Sequence, residues 1–292
     1  MFNYRTKKKK HQRPKFFKMN YSINKDHFSF FRNFFAEKTG ISLDDSKLYL
    51  LETRLLPIIK RHNLNSFDEL ILALKTNKEI ILNESVDAIS TNETFFFRDI
   101  KPFNILGIEL LKKLAANENA KNNKLRFWSA ACSKGQEAYS IAISILENRN
   151  NIAGMDFEII GTDISSEVVE KAKTGIFNSF EIQRGLPVKL MIKYFDKLEN
   201  GHWKAKDELM KHVKFEKRNL LEDTSDLGIF DCIFCRYVLI YFEDEKKREI
   251  ANKLVQQLRK NGYFFTGTSE TRNFSEGELK HHQDIRSIFQ KI

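Results

Sequence analysis

The sequence predicts an α/β protein in which a small all-α unit precedes a mainly parallel, doubly wound sheet. Three observations carry this. Residues 22–83 place apolar side chains at helical spacing. From about residue 104 short apolar runs alternate with helical stretches, the pattern of a parallel sheet with crossover helices. The chain has 292 residues, enough for one large core and a smaller one.

The elements follow in order. Ser22 to Lys38 carries Ile23, His27, Phe30, Phe31, Phe34 and Phe35 near a 3.6-residue period, and Gly40 is a fitting stop. Leu48, Leu51, Leu55, Ile58 and Ile59 form a second stripe, where Pro57 predicts a kink or break. Ser66 with Glu69 three residues on reads as a capping box. Strands are expected at Leu125–Ala131, Phe157–Ile164, Val213–Phe215, Phe230–Phe234 and Gly262–Gly267, with Ser287–Lys291 as an edge strand. Helices are expected at Ala138–Glu147, Ser165–Lys173 and Glu243–Arg259. Residues 177–212 fit the alternation poorly. There Tyr194–Phe195 and His202–Lys204 flank Asn200–Gly201, which reads as an inserted hairpin. The expected layout is a tail over 1–21, a helical domain over 22–90, a linker over 91–103 and the sheet domain over 104–292.

Composition excludes several classes. The net charge of +10 points at first to nucleic acid, but Arg5, Lys7, Lys8, Lys9, Lys10, Arg13, Lys15 and Lys18 lie in the first 18 residues without an acid. Removing these eight leaves +2 for residues 19–292, so the body is nearly balanced. The arm is expected to be disordered, and Met19 offers an internal start. No apolar run nears the roughly 20 residues of a spanning helix, and no apolar stretch follows the basic one as a secretory signal requires. Cys132, Cys232 and Cys235 are too few for a disulfide framework, which fits the cytoplasm. Cys232 and Cys235, three apart on a strand, point to opposite faces and read as buried thiols. The seven His show no ligand spacing, so no metal is expected.

The chemistry gathers at strand ends. After LRFWSAA comes Cys132-Ser133-Lys134-Gly135-Gln136-Glu137, a one-glycine turn into a helix at the carboxyl end of a strand, where doubly wound sheets bind ligands. Glu137 would repel a phosphate and suit a cation. The next strand ends in Asp163, 28 residues after Gly135, placed to accept ribose hydroxyls. A ribose-bearing cation without pyrophosphate describes S-adenosylmethionine. Singly, each acid also fits a solvated element end. Thr91-Asn92-Glu93-Thr94-Phe95-Phe96-Phe97-Arg98 lies at the junction of the two units, a favoured place for a cleft.

TNETFFFRD resembles the TN-x-T-x-FFR element of the CheR-type chemotaxis receptor methyltransferases. The likeness continues through SAACSKGQEAYSIA, FEIIGTDIS, FEIQRGLPVKLMIKYF, FEKRNLLE, FDCIFCRYVLIYF and NGYFFTGTSET, and into FFAEKTGISLDDSKLYLLETRL, about residues 23–291. The resemblance implies a small helical domain followed by a Rossmann-like domain with an inserted antiparallel β-subdomain. By motif position it implies that Asn92, Thr94 and Arg98 lie against the cofactor, with Glu137 at its methionine end and Asp163 at its ribose. Asn219 and Leu220 would border the adenine, and Arg236 with Tyr237 would close the pocket. Tyr241 would sit beside the transferring methyl.

The activity so implied is methyl transfer from S-adenosylmethionine to receptor glutamates in chemotactic adaptation. The enzyme would act as a cytoplasmic monomer, beside the membrane and not in it. A glutamate is ionised at pH 7 and needs no general base. Arg98 and Tyr241 are therefore expected as catalytic orienters, although either also fits a packing role. The polar flank Lys47, Arg54, Lys60 and Arg61 is expected to meet the acidic receptor helix, or else to be a solvated face. Lys134, Gln136 and Ala138 depart from the family's CSTGEEPYS, and Tyr237 stands where the family's CRN has Asn. That last departure keeps a non-catalytic binding member as an alternative. A nucleic-acid methyltransferase would want an Asp/Asn-Pro-Pro-aromatic element, which is absent.

Overall fold

The computed structural model describes residues 22–117, 124–271 and 277–292. The predicted basic tail lies outside the described residues. Four helices make the N-terminal unit: α1 (Lys25–Thr39), α2 (Leu48–Arg61), α3 (Phe67–Lys75) and α4 (Glu79–Ile89). Asn24 caps α1 by accepting the His27 amide at 2.7 Å, and Gly40 ends it in the left-handed region at φ +76°. Phe28, Phe31 and Phe35 face inward at i, i+3 and i+7. They meet Leu51, Leu55, Ile58 and Ile59 of α2 in a core separate from that of the sheet.

Two local expectations are corrected here. Of the kink or break expected at Pro57 the break does not occur, since helix α2 runs through it. Pro57 and Thr53 are both exposed, so water can serve the Thr53 carbonyl that proline leaves without a donor. Ser66 does cap α3 through the Glu69 amide, but the Glu69 carboxylate turns to Asn65 instead of closing the box.

The main sheet contains β1 (Lys124–Ala130), β2 (Asp156–Asp163), β6 (Val213–Lys217), β7 (Phe230–Cys235), β8 (Leu258–Thr266), β9 (Leu279–His281) and β10 (Ile288–Lys291). Their order is β6-β2-β1-β7-β8-β10-β9. Strands β6, β2, β1, β7 and β8 are parallel, and β10 and β9 add antiparallel. Thus β10 is not the edge strand; β9 covers it. The helix predicted over Glu243–Arg259 spans Asp244–Gln256, because Leu258 already opens β8. Along β1 and β7 alternate residues enter two cores: Phe127, Cys232 and Phe234 on one face, Trp128, Ile233 and Cys235 on the other. All three cysteines are free and buried, as expected.

The inserted segment forms its own antiparallel sheet, β3 (Ile176–Phe177), β5 (Trp203–Ala205) and β4 (Phe195–Lys197), in the order β3-β5-β4. Phe96 ties it to the linker by edge-on contacts with Phe177 and Phe195. Gly185 lets the two backbones touch: at φ +85°, an added Cβ would stand 1.9 Å from the Phe96 carbonyl oxygen. Gly185→Ala is therefore expected to destabilise the fold by about 3 kcal/mol or more. A thermal melt checks this; an unchanged midpoint would contradict the close approach.

Candidate active site

The strand order reverses at β1, with β2 on one side and β7 on the other, and ligands of doubly wound sheets bind at such a switch point. The cleft there encloses about 940 Å³ including its open mouth. Its walls come from the ends of β1, β2, β6 and β7, from the linker, and from the N-terminal unit through Thr39 and Ile41. All ten residues expected at the cofactor or the chemistry line it: Asn92, Thr94, Arg98, Glu137, Asp163, Asn219, Leu220, Arg236, Tyr237 and Tyr241.

After β1 the chain turns tightly, with Ala131, Ser133 and Gly135 all at positive φ. That turn aims the Ser133 amide at Asp163 Oδ2 at 2.8 Å, while the Ser165 amide meets Oδ1 at 3.0 Å. Burial pushes the Asp163 carboxyl up, and the two amides oppose it by binding the charged form. The carboxylate is fixed at the cleft floor with lone pairs to spare.

Glu137 sits in the first turn of the helix Gln136–Glu147. It accepts from Ser129 at 2.7 Å and from Arg236 Nη1 at 3.0 Å. The Arg236 side chain is 1% exposed, and its Nη2 reaches the Arg98 carbonyl and Asp99 Oδ2 at 2.8 and 2.9 Å. Arg236 thus clamps the linker to the sheet. Among the described residues Arg98 itself gives one hydrogen bond, Nη1 to the Glu93 carbonyl at 3.2 Å. Its guanidinium lies over the Tyr237 ring, 3.8 Å from the centroid.

The remaining residues join the two domains. Asn219 lines the cleft, but its amide is engaged, donating to the Lys38 carbonyl and accepting from Leu221. The Tyr241 carbonyl accepts from the Ser42 amide at 2.8 Å, and Ile41 pairs with Phe242. The side chains of Asn92, Thr94 and Tyr241 make no hydrogen bond among the described residues. Apolar wall is supplied by Leu220, Ile164, Val238 and Phe242.

The basic flank is corrected in part. Arg54 donates to the Ile89 and Ser90 carbonyls and closes the end of α4, so it is not a free surface cation. Arg61 pairs with Glu84 at 2.8 Å; Lys47 and Lys60 stand exposed. None of the four lines the cleft.

Sequence reasoning missed Asp99, which binds Arg236, and Glu270, which accepts the Tyr237, Gly267 and Ile240 amides. Both stand beside noted runs, Asp99 closing TNETFFFRD and Glu270 within TSET, yet only the tertiary fold assigns them partners. It also missed a cluster of Glu109, His282 and Asp284, none of which lines the cleft. There Lys113 lies 2.6 Å from Glu109 and already balances it.

Away from the cleft, His212 stacks on Phe157 at 4.0 Å and faces its carbonyl through Nδ1 at 3.2 Å. Burial lowers its pKa, so the folded state favours the neutral ring. That contribution is full above the unfolded value of about 6.5 and is lost as pH falls from there through the lowered folded value. Stability should therefore drop on acidification from pH 7.5 to 5.5, and less so in His212→Asn. Parallel slopes in urea melts of the two proteins would contradict this.

An acid fixed at the end of β2, a second carboxylate across the turn and an apolar wall suit a ribose-bearing cation with a flat aromatic base. Such a cleft on a doubly wound sheet defines a methyltransferase that uses S-adenosylmethionine. Residues 92–287 match the family model of the CheR methyltransferase SAM-binding domain, and residues 26–90 that of the CheR methyltransferase all-alpha domain. A chemotaxis protein methyltransferase of Borreliella burgdorferi is 38% identical over 259 residues, 87% of this chain and 91% of that protein. One of Vibrio anguillarum is 37% identical over 254 residues, 86% and 90% of the two chains. One of Salmonella typhimurium is 32% identical over 259 residues, 87% and 86%. The chain belongs to the CheR methyltransferase family and is an S-adenosylmethionine-dependent methyltransferase of chemotaxis. Among the described residues no helix is long and apolar enough to cross a membrane.

Proposed function

We propose that the chain methylates glutamate side chains of methyl-accepting chemotaxis receptors, giving glutamyl methyl esters and S-adenosylhomocysteine. One observation carries this reading. The cleft lining contains no His, Lys or Cys among the described residues. Its two deep acids are already engaged, Glu137 by Ser129 and Arg236 and Asp163 by two amides. The third lining acid, Glu93, pairs with Arg184 at 2.6 Å, so each lining carboxylate already has a partner. A glutamate carboxylate, with a pKa near 4.3, arrives ionised and needs no base.

Asp163 reads the ribose and Glu137 the methionine end, with Asn92 and Thr94 along the cofactor. Asn219 and Leu220 border the adenine, the former through its carbon face because its amide is engaged. Arg236 and Tyr237 close the pocket. Bound S-adenosylmethionine supplies an electrophilic methyl on a sulfonium. Attack by an ionised acceptor oxygen on that methyl would send the carbon–sulfur pair to the sulfur and would require no proton transfer. Arg98 holds the second carboxylate oxygen with its unused donors, and the Tyr241 hydroxyl assists. Alignment is the main demand on the enzyme, and orientation alone is worth effective molarities of roughly 10⁵–10⁸ M.

The partner is the acidic cytoplasmic domain of such a receptor, approached by the exposed Lys47 and Lys60 and by Tyr49, 77% exposed on α2. The test offers three acceptors with methyl-labelled S-adenosylmethionine: receptor cytoplasmic domain, a lysine-rich protein and nucleic acid. Label is expected on the receptor alone; label on nucleic acid overturns the reading.

A further inference from the structure

We propose that Tyr237 is a positioning residue for Arg98: its ring holds the guanidinium at the acceptor end of the cleft, and so sets how firmly the acceptor carboxylate is gripped. The inference rests on the carboxylate reading above.

Tyr237 follows β7 at φ +58°, a left-handed conformation that bulky side chains rarely adopt. Contacts at both ends of the residue hold it there. Its backbone N–H donates to Glu270 Oε2 at 2.6 Å. Its hydroxyl donates to Asp99 Oδ2, the same oxygen that accepts from Arg236 Nη2 at 2.9 Å. The ring is thereby fixed in direction.

Arg98 depends on that ring. Its Cζ is 3.8 Å from the Tyr237 centroid, well inside the roughly 6 Å of a cation–π contact. The Phe95 ring is farther, at 5.5 Å, and the one hydrogen bond, to the Glu93 carbonyl, is 3.2 Å long. Stacking uses the face of the guanidinium and leaves its N–H edge for an acceptor. Glu137, Arg236, Asp99, Tyr237 and Arg98 thus form one run of contacts from the cofactor side to the acceptor side.

Three variants separate the ring from the backbone. Tyr237→Phe keeps the stack and loses the Asp99 bond. Tyr237→Asn suits a left-handed backbone but has no ring. Tyr237→Leu keeps bulk without aromaticity. Each full-length protein is assayed for S-adenosylhomocysteine affinity by calorimetry and for kcat and KM on receptor cytoplasmic domain. The Arg98 Nε–H resonance is followed by NMR.

The Asn and Leu variants should lose about tenfold in kcat/KM for receptor, the scale of a desolvated cation–π contact. Because Tyr237 also borders the cofactor pocket, their S-adenosylhomocysteine affinity should fall, but by much less than kcat/KM for receptor, and Tyr237→Phe should keep most of the activity. The Arg98 resonance should be ring-shifted upfield in the native protein and the Phe variant only. Native activity in Tyr237→Asn, or cofactor affinity falling in step with activity, overturns the proposal; the second outcome would make Tyr237 a cofactor wall and nothing more. An unshifted native resonance also overturns it. A shifted resonance with no receptor ester formed would sink the carboxylate reading while the stack stands.

Discussion

Replacing Arg98 with alanine should lower kcat/KM for receptor by roughly 10²–10³-fold, the range seen when one preorganised donor is removed from a developing charge. The guanidinium has most of its donors unused, and it stands where the linker meets the cleft. On the proposed reading its removal would free the acceptor carboxylate to turn, whereas the cofactor would keep Asp163, Glu137 and the apolar wall. The loss should therefore fall mainly on kcat/KM for receptor and much less on S-adenosylhomocysteine affinity. Arg98→Lys restores charge but not the planar fork, so it should recover only part of the activity. Steady-state methylation beside calorimetry checks the split. Equal losses in both would make Arg98 a cofactor ligand first.

The second large effect belongs to Asp163. In Asp163→Asn the side chain keeps one acceptor oxygen, while its new N–H₂ faces a backbone N–H of Ser133 or Ser165. The buried donor left without an acceptor lowers stability, and the ribose loses a charge-assisted hydrogen bond, which costs binding about 1.5–3 kcal/mol. Cofactor affinity should fall by about 100-fold at pH 7.5. Burial raises the native Asp163 pKa, so its protonation begins at higher pH than for an ordinary aspartate near 3.9. Affinity for S-adenosylhomocysteine should accordingly weaken as pH falls toward the acid range, with a midpoint above 3.9. A pH-independent affinity, or an Asn variant that binds normally, would remove Asp163 from the ribose.

Much of this cleft could be read in the chain because its parts are local. LRFWSAA runs straight into the turn at Gly135, and FEIIGTDI ends in Asp163, so a strand and its functional end lie within a few residues. The inserted hairpin was legible for the same reason, since Asn200–Gly201 marks its turn. What failed depended on partners distant in sequence. Arg54 is drawn off the surface by carbonyls 35 and 36 residues away. Strand β10 is internal only because Leu279–His281 pairs with it, a run too short and polar to read as a strand. Glu270 and Asp99 gain their roles from amides and a guanidinium that the fold brings to them. The break offered as one reading at Pro57 does not occur, because its effect depends on exposure, which periodicity does not report.

The two-domain cleft also explains why the helical unit belongs to the site. Gly40 ends α1 with its Cα so close to Phe242 that an added Cβ would lie 2.5 Å from the ring. Asn219 and Tyr241 bind backbone on either side of that contact. The wall formed by Thr39 and Ile41 is therefore placed by the domain junction itself.

The bond formed on the acceptor tests the central claim most directly. Receptor cytoplasmic domain labelled by the enzyme from methyl-labelled S-adenosylmethionine should release volatile methanol under mild alkali, as a glutamyl methyl ester does, and the Arg98→Ala enzyme should leave little to release. Label that survives alkali would mean methylation on nitrogen, and would contradict a cleft built for a carboxylate.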